Sequence, residues 1–140
     1  MDWDLTGAKI ISYAPNLAAT RRAKAEGFED ALLMSVDGLM LEGPTFAVAW
    51  LVDDVLETPA LDLGILYSIT RRVVLEEAVD LGLDVVQGTW ELHRIEDASE
   101  VMAMSTIREV QPVVAAGDML FESGEITGRL GEAFRGRVTG

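Results

Sequence analysis

The chain has 140 residues, enough for one domain that buries roughly two thirds of its unfolded surface, so no disulfide or metal staple is needed. Acidic residues outnumber basic ones 24 to 11, and the net charge of −13 opposes a nucleic-acid backbone and an anionic lipid surface alike. The absence of cysteine excludes disulfides, thiolate nucleophiles and cysteine-ligated zinc, while 49% hydrophobic residues make the chain globular rather than disordered.

Met1-Asp2-Trp3-Asp4 lacks the basic and apolar stretches of a secretion signal, and no segment approaches about eighteen uninterrupted apolar residues, so a soluble, cytoplasmic protein is expected. Lys9 to Ser12 reads as a short strand, and Pro15 opens a helix that runs to Glu26 and stops at Gly27. Ala31 to Ser35 and Leu39 to Leu41 flank the turn Val36-Asp37-Gly38 and predict a hairpin with Glu42 at its far end. Thr45 to Val52 is a nearly continuous apolar strand; Asp53-Asp54 turns it into Val55 to Glu57, a second hairpin ending at Pro59.

Ser68 to Leu81 places Ile69, Val73, Leu75, Ala78 and Val79 against Arg71, Arg72, Glu76, Glu77 and Asp80 at helical spacing, and Gly82 closes it. Leu83 to Val86 predicts a strand, Arg94 to Ser99 a short helical segment, Val101 to Met104 a strand ending in polar Ser105-Thr106, and Val110 to Val114 one more. Gly124 to Arg137 carries Ile126, Leu130 and Phe134 at helical spacing, an amphipathic helix weakened by its glycines. Hairpins alternating with two to three helices indicate an α/β domain with a mixed or antiparallel sheet over residues 1–140, without repeat or linker.

Several pieces carry chemistry. Lys9, one of only two lysines, lies in the apolar run Gly-Ala-Lys-Ile-Ile, a setting suited to an amine that must lose its proton easily. Glu42 precedes Gly43-Pro44-Thr45; such an acid is either a solvated surface group or a carboxylate reserved for a cation. The helix start at Ser68 offers free N–H groups and a positive dipole end for a phosphate, although Ser68 and Thr70 also suit simple capping. Ser105-Thr106 is a second polar strand end. Lone His93 is expected on a loop rather than on a metal, and Arg108 either meets a substrate carboxylate or pairs with Glu109 or solvent. An amine, an acid, and phosphate-binding turns in this order outline a pyridoxal phosphate site.

From about Asp4 to about Val114 these motifs resemble the class IV, or fold type IV, aminotransferases, which include branched-chain and D-amino acid aminotransferases and aminodeoxychorismate lyase. The resemblance implies Lys9 as the Schiff-base lysine and Glu42, in Glu-Gly-Pro-Thr, as the acid at the cofactor's ring nitrogen. It further implies Ile69, Thr70, Ser105 and Thr106 as phosphate contacts and Tyr13 as a hydroxyl on the phenolic oxygen. Two departures concern substrate: Phe46-Ala47 replaces the Ser-Asn of many members, and the Lys-x-x-x-Tyr spacing is closer to the D-amino acid and lyase branches. The implied fold is the family's C-terminal pseudo-barrel domain, without the N-terminal domain that precedes the lysine in the family. The implied activity is amino transfer between an amino acid, first of all a branched-chain one, and a 2-oxo acid. Aminodeoxychorismate lyase activity, or a noncatalytic half-length remnant, stands as the alternative, and self-association into a dimer is expected because positive mean hydropathy leaves apolar surface to cover.

Overall fold

Ala47 to Val52 is apolar at every position, so a strand there must be covered on both faces. The structure, a computed structural model that describes residues 9–139 with side chains from Asn16 onward, makes it the central strand β1 (Ala47–Val52). It pairs antiparallel with β2 (Val55–Pro59) and β4 (Glu100–Ser105); β3 (Asp84–Gly88) adds parallel to β2, and β5 (Glu109–Pro112) antiparallel to β4. The sheet order is β3-β2-β1-β4-β5, and a two-stranded ribbon of β6 (Ala115–Ala116) and β7 (Met119–Leu120) follows it. The sheet is therefore mixed, as expected.

Alternation along β1 separates two cores. Ala47 and Ala49 face the layer of α2 (Ile69–Asp80) and α3 (Glu125–Thr139), joining Val74, Ala78, Met102, Leu130 and Phe134. Val48, Trp50 and Val52 face the opposite side with Met40, Ile95 and Val101. There buried Glu57 accepts from Trp50 Nε1 at 3.1 Å and from both nitrogens of the Arg94 fork at 2.9 and 3.1 Å, so the acid is fully compensated.

Local signals act where expected. Asp53 and Asp54 take φ of 49° and 64°, the left-handed pair that a two-residue hairpin requires. Ser68 caps α2 by accepting from the Arg71 N–H at 3.1 Å, and Gly82, with φ of 90°, ends it. The first hairpin closes through Ser35 N to Leu39 O and Leu41 N to Leu33 O, with a single bridge between Met34 and Met40. The glycine-weakened α3 forms because Glu100, from the middle of the chain, caps it: its carboxylate accepts from Ile126 N, Thr127 N and Thr127 Oγ1 at 3.2, 2.8 and 2.7 Å. A Cβ on Gly124 would overlap that carboxylate, so the approach requires glycine.

One expectation is overturned. Lys9 to Ser12 is not a strand: it lies in helix α1 (Lys9–Ala25), and Pro15 lies inside that helix. The sheet among the described residues is built from other segments, and a helix satisfies its backbone groups within itself. The helix forgoes the one bond that Pro15 cannot donate. The predicted N-terminal segment Met1 to Asp4 lies outside the described residues.

Candidate functional site

The sheet gathers three chain crossings at one end. Ala47 pairs with Met104, so the start of β1 and the end of β4 coincide, and Pro59 pairs with Gly88, so β2 and β3 finish together. Because β2 runs antiparallel to β1, its exit lies at the same end. Into this end run Glu42-Gly43-Pro44-Thr45, the Leu61–Leu63 3-10 turn leading to α2, and the turn after Ser105. Glu42, Ile69, Thr70, Ser105 and Thr106, spread over more than sixty positions, are thus brought to one edge of the fold.

Glu42 is 7% exposed and not a solvated surface acid. Both carboxylate oxygens share one donor, the Leu66 N–H, at 3.2 and 3.4 Å, and no cation reaches them among the described residues. Burial pushes its carboxyl up to about 7, only partly opposed by the Leu66 hydrogen bond. Among the described residues two other acids are buried, Glu57 and Glu100, and both are compensated, by the Arg94 fork with Trp50 and by three donors of α3. Glu42 alone of the three is held by a single donor, the Leu66 N–H. The turn around it is closed by Gly43 N to Phe46 O at 2.8 Å, and a Cβ on Gly43 would overlap the Phe46 ring.

Leu66 also leads into α2. Ser68 Oγ occupies the Arg71 N–H, which leaves the N–H groups of Ile69 and Thr70 without a hydrogen bond among the described residues. Ile69 is 68% exposed and Tyr67 61%, so this turn faces open space, while Thr70 is buried beneath it. An unsatisfied first turn carries partial positive charge and suits an anion.

Ser105 Oγ accepts from Arg108 N at 2.9 Å, which folds residues 105–108 into a tight turn with Thr106 exposed at its tip. Arg108 does not pair with Glu109, which faces Arg135 at 3.1 Å instead. Its guanidinium reaches Asp30 at 2.8 Å and Gln111 at 3.2 Å and lies 5.0 Å over the Phe46 ring. Asp30 also accepts from Thr20 Oγ1 at 2.8 Å, so α1, the first hairpin and the turn after β4 are tied at one carboxylate. Asn16 Nδ2 donates to the Pro44 carbonyl at 3.0 Å and fastens α1 to the Glu42 loop. Lys9, Tyr13 and Asn16 follow the register of one helix face, but the side chains of Lys9 and Tyr13 lie outside the described residues.

Sequence reasoning did not find Leu66, Asp30, Asn16 or the burial of Arg71, since each acts through a distant partner. His93 lies in the exposed 3-10 segment Leu92–Asp97, with Nδ1 3.4 Å from Glu91, and no metal-ligating group of three or more side chains is found among the described residues. No helix of the described residues is long and apolar enough to cross a membrane.

The sequence model of the amino-transferase class IV family matches residues 1–116. The chain is 36% identical over 127 residues to a probable branched-chain-amino-acid aminotransferase of Rickettsia conorii, covering 88% of this chain and 43% of that protein. It is 31% identical over 124 residues to the aminodeoxychorismate lyase of Bacillus subtilis, covering 87% and 42%. The branched-chain amino acid aminotransferase of T.th., solved with N-(5'-phosphopyridoxyl)-L-glutamate, superposes with a TM-score of 0.86 at 28% identity, covering 91% of this chain and 44% of that one. The chain thus spans less than half the length of the relatives it matches.

Proposed function

The chain belongs to the amino-transferase class IV family, and from that premise we propose that it is the cofactor-binding half of a pyridoxal phosphate-dependent aminotransferase acting on an amino acid and a 2-oxo acid. Its fold is that of the fold type IV enzymes. The observation that carries the reading is Glu42: a buried carboxylate with one backbone donor and no counter-charge suits a cationic ring N–H. The open first turn of α2, joined to Glu42 through Leu66, suits a phosphate, so the residues present fit the group.

When bound, pyridoxal phosphate withdraws electrons from the substrate's alpha carbon and acidifies its proton. Glu42, whose carboxyl is raised by burial, would pair as a carboxylate with the ring N–H and so keep that nitrogen protonated. The Ile69 and Thr70 N–H groups, with Ser105 and Thr106, would hold the phosphate, and Tyr13 would donate to the phenolic oxygen. Lys9 would supply the amine that holds the cofactor and would carry the substrate's alpha proton. Gly43, Phe46 and the Asp30–Arg108 pair keep the Glu42 loop and α1 in register.

Residues 1–140 form a single cofactor-binding unit in this reading, and a complementary half, in the family placed before the lysine, covers the exposed edge at Tyr67 and Ile69. The Rickettsia relative extends well beyond the 43% of its length that this chain covers. A branched-chain amino acid is the first substrate, on the strength of that relative's name. The second reading, pyruvate elimination from aminodeoxychorismate, is favoured by the Bacillus relative and by Phe46-Ala47 after Thr45. Amino transfer to 2-oxoglutarate assayed beside pyruvate release separates the two.

The decisive test is addition of pyridoxal phosphate followed by borohydride reduction and peptide mass mapping. A visible absorbance band and a pyridoxyl adduct on Lys9, both lost in Lys9→Ala, are expected. Identical spectra for the two proteins would refute the catalytic assignment and leave a noncatalytic remnant of the fold.

A further inference from the structure

Arg71 is the third residue of α2 and is 3% exposed, yet in a chain with 24 acids no carboxylate pairs with it among the described residues. Its Nη2 donates to the Pro59 carbonyl at 2.9 Å and to Gln87 Oε1 at 2.8 Å, both neutral, and its Nε has no acceptor. Burial lowers its pKa from the ordinary arginine value, but a guanidinium stays protonated at neutral pH. A buried cation with only neutral partners is costly, and apolar residues fill such space more favourably. The two bonds fix the first turn of α2 to the ends of β2 and β3, and they retain a full positive charge in the same turn as the open N–H groups of Ile69 and Thr70.

We propose that Arg71 is a positioning residue for a phosphate monoester: held by Pro59 and Gln87, its unpaired charge and its grip on the first turn of α2 strengthen phosphate binding there without contact. This rests on the cofactor reading above and extends it to a residue that touches no ligand. It also answers how a chain of net charge −13 holds a dianion, since a buried charge is screened by salt far less than surface charges are.

A purely structural strut and a charge device respond differently to Gln87→Glu. That variant keeps an acceptor for Nη2 and gives Arg71 a counter-ion, so the fold is preserved while the charge is cancelled. Pyridoxal phosphate and pyridoxal, which lacks the phosphate, are titrated against wild type, Q87E, R71Q and R71K by absorbance and tryptophan fluorescence. The wild type is expected to favour the phosphorylated aldehyde. That preference should fall roughly fivefold to tenfold in Q87E and R71Q, the scale of one favourable charge at a helix terminus, and stay within about twofold in R71K. An unchanged preference in Q87E that binds both aldehydes and unfolds at the same or higher denaturant overturns the proposal and leaves the cofactor reading standing. A wild type that binds neither aldehyde overturns both.

Discussion

Replacing Glu42 by glutamine tests the central electrostatic feature without a cofactor. The side chain is 7% exposed and its carboxyl is raised from 4.5 to about 7, chiefly by burial. The folded state therefore binds more protons than the unfolded state between those values, so stability is fully present below pH 4.5 and is lost as pH rises through 7. At about 1.4 kcal/mol per pH unit, a rise of this size amounts to about 3 kcal/mol. Glutamine keeps an acceptor for the Leu66 N–H but cannot ionise. Urea unfolding of wild type and Glu42→Gln at intervals from pH 4.5 to 8 should give similar stabilities at the acid end, with the variant ahead by about 3 kcal/mol at pH 8. With an m-value of about 2 kcal/mol/M, that is a midpoint difference of about 1.5 M. A difference between the two proteins that does not change with pH would refute the burial of an uncompensated carboxylate. Saturating pyridoxal phosphate should flatten the wild-type dependence, because in the proposed site a ring N–H on Glu42 would supply the missing counter-charge.

Glu100→Ala removes three hydrogen bonds from the start of α3 and should cost about 2–4 kcal/mol, read by thermal unfolding, with early exchange of the Glu125–Thr139 amides. Gly124→Ala forces the same carboxylate aside and should lose a large part of that energy; an unaffected melting temperature would contradict the close approach. Asp30→Ala cuts Thr20 and Arg108 from their shared carboxylate, so the amides of α1 should exchange faster by hydrogen–deuterium measurement while those of β1 and β4 do not. Gly43→Ala drives a methyl into the Phe46 ring and should destabilise by about 1–3 kcal/mol, with weaker borohydride trapping of pyridoxal phosphate in the same preparation.

The class of the fold and most of its elements are readable in the chain itself. Ser68 as a cap, Gly82 as a stop, Asp53-Asp54 as a hairpin turn and the Ile126, Leu130, Phe134 stripe each state a local preference within a few residues, and the folded chain honours all four. The candidate residues are also readable as a set, because Glu42, Ile69-Thr70 and Ser105-Thr106 each stand at an element boundary that turn and cap chemistry marks.

Tertiary structure decided what those residues experience. How Glu42 and Glu57 are held is not written in the sequence: one is buried against a single N–H and the other inside an arginine fork, because those partners lie 24 and 37 positions away. Arg108 bypassed its neighbour Glu109 for Asp30, 78 positions distant, and the apolar Lys9 to Ser12 run joined a helix rather than the sheet. Periodicity and turn chemistry are properties of neighbouring residues, so the sequence determines them by itself. Burial, counter-charge and strand partnership arise only when register brings remote segments together, and those quantities separate a solvated surface acid from a buried one with a single donor.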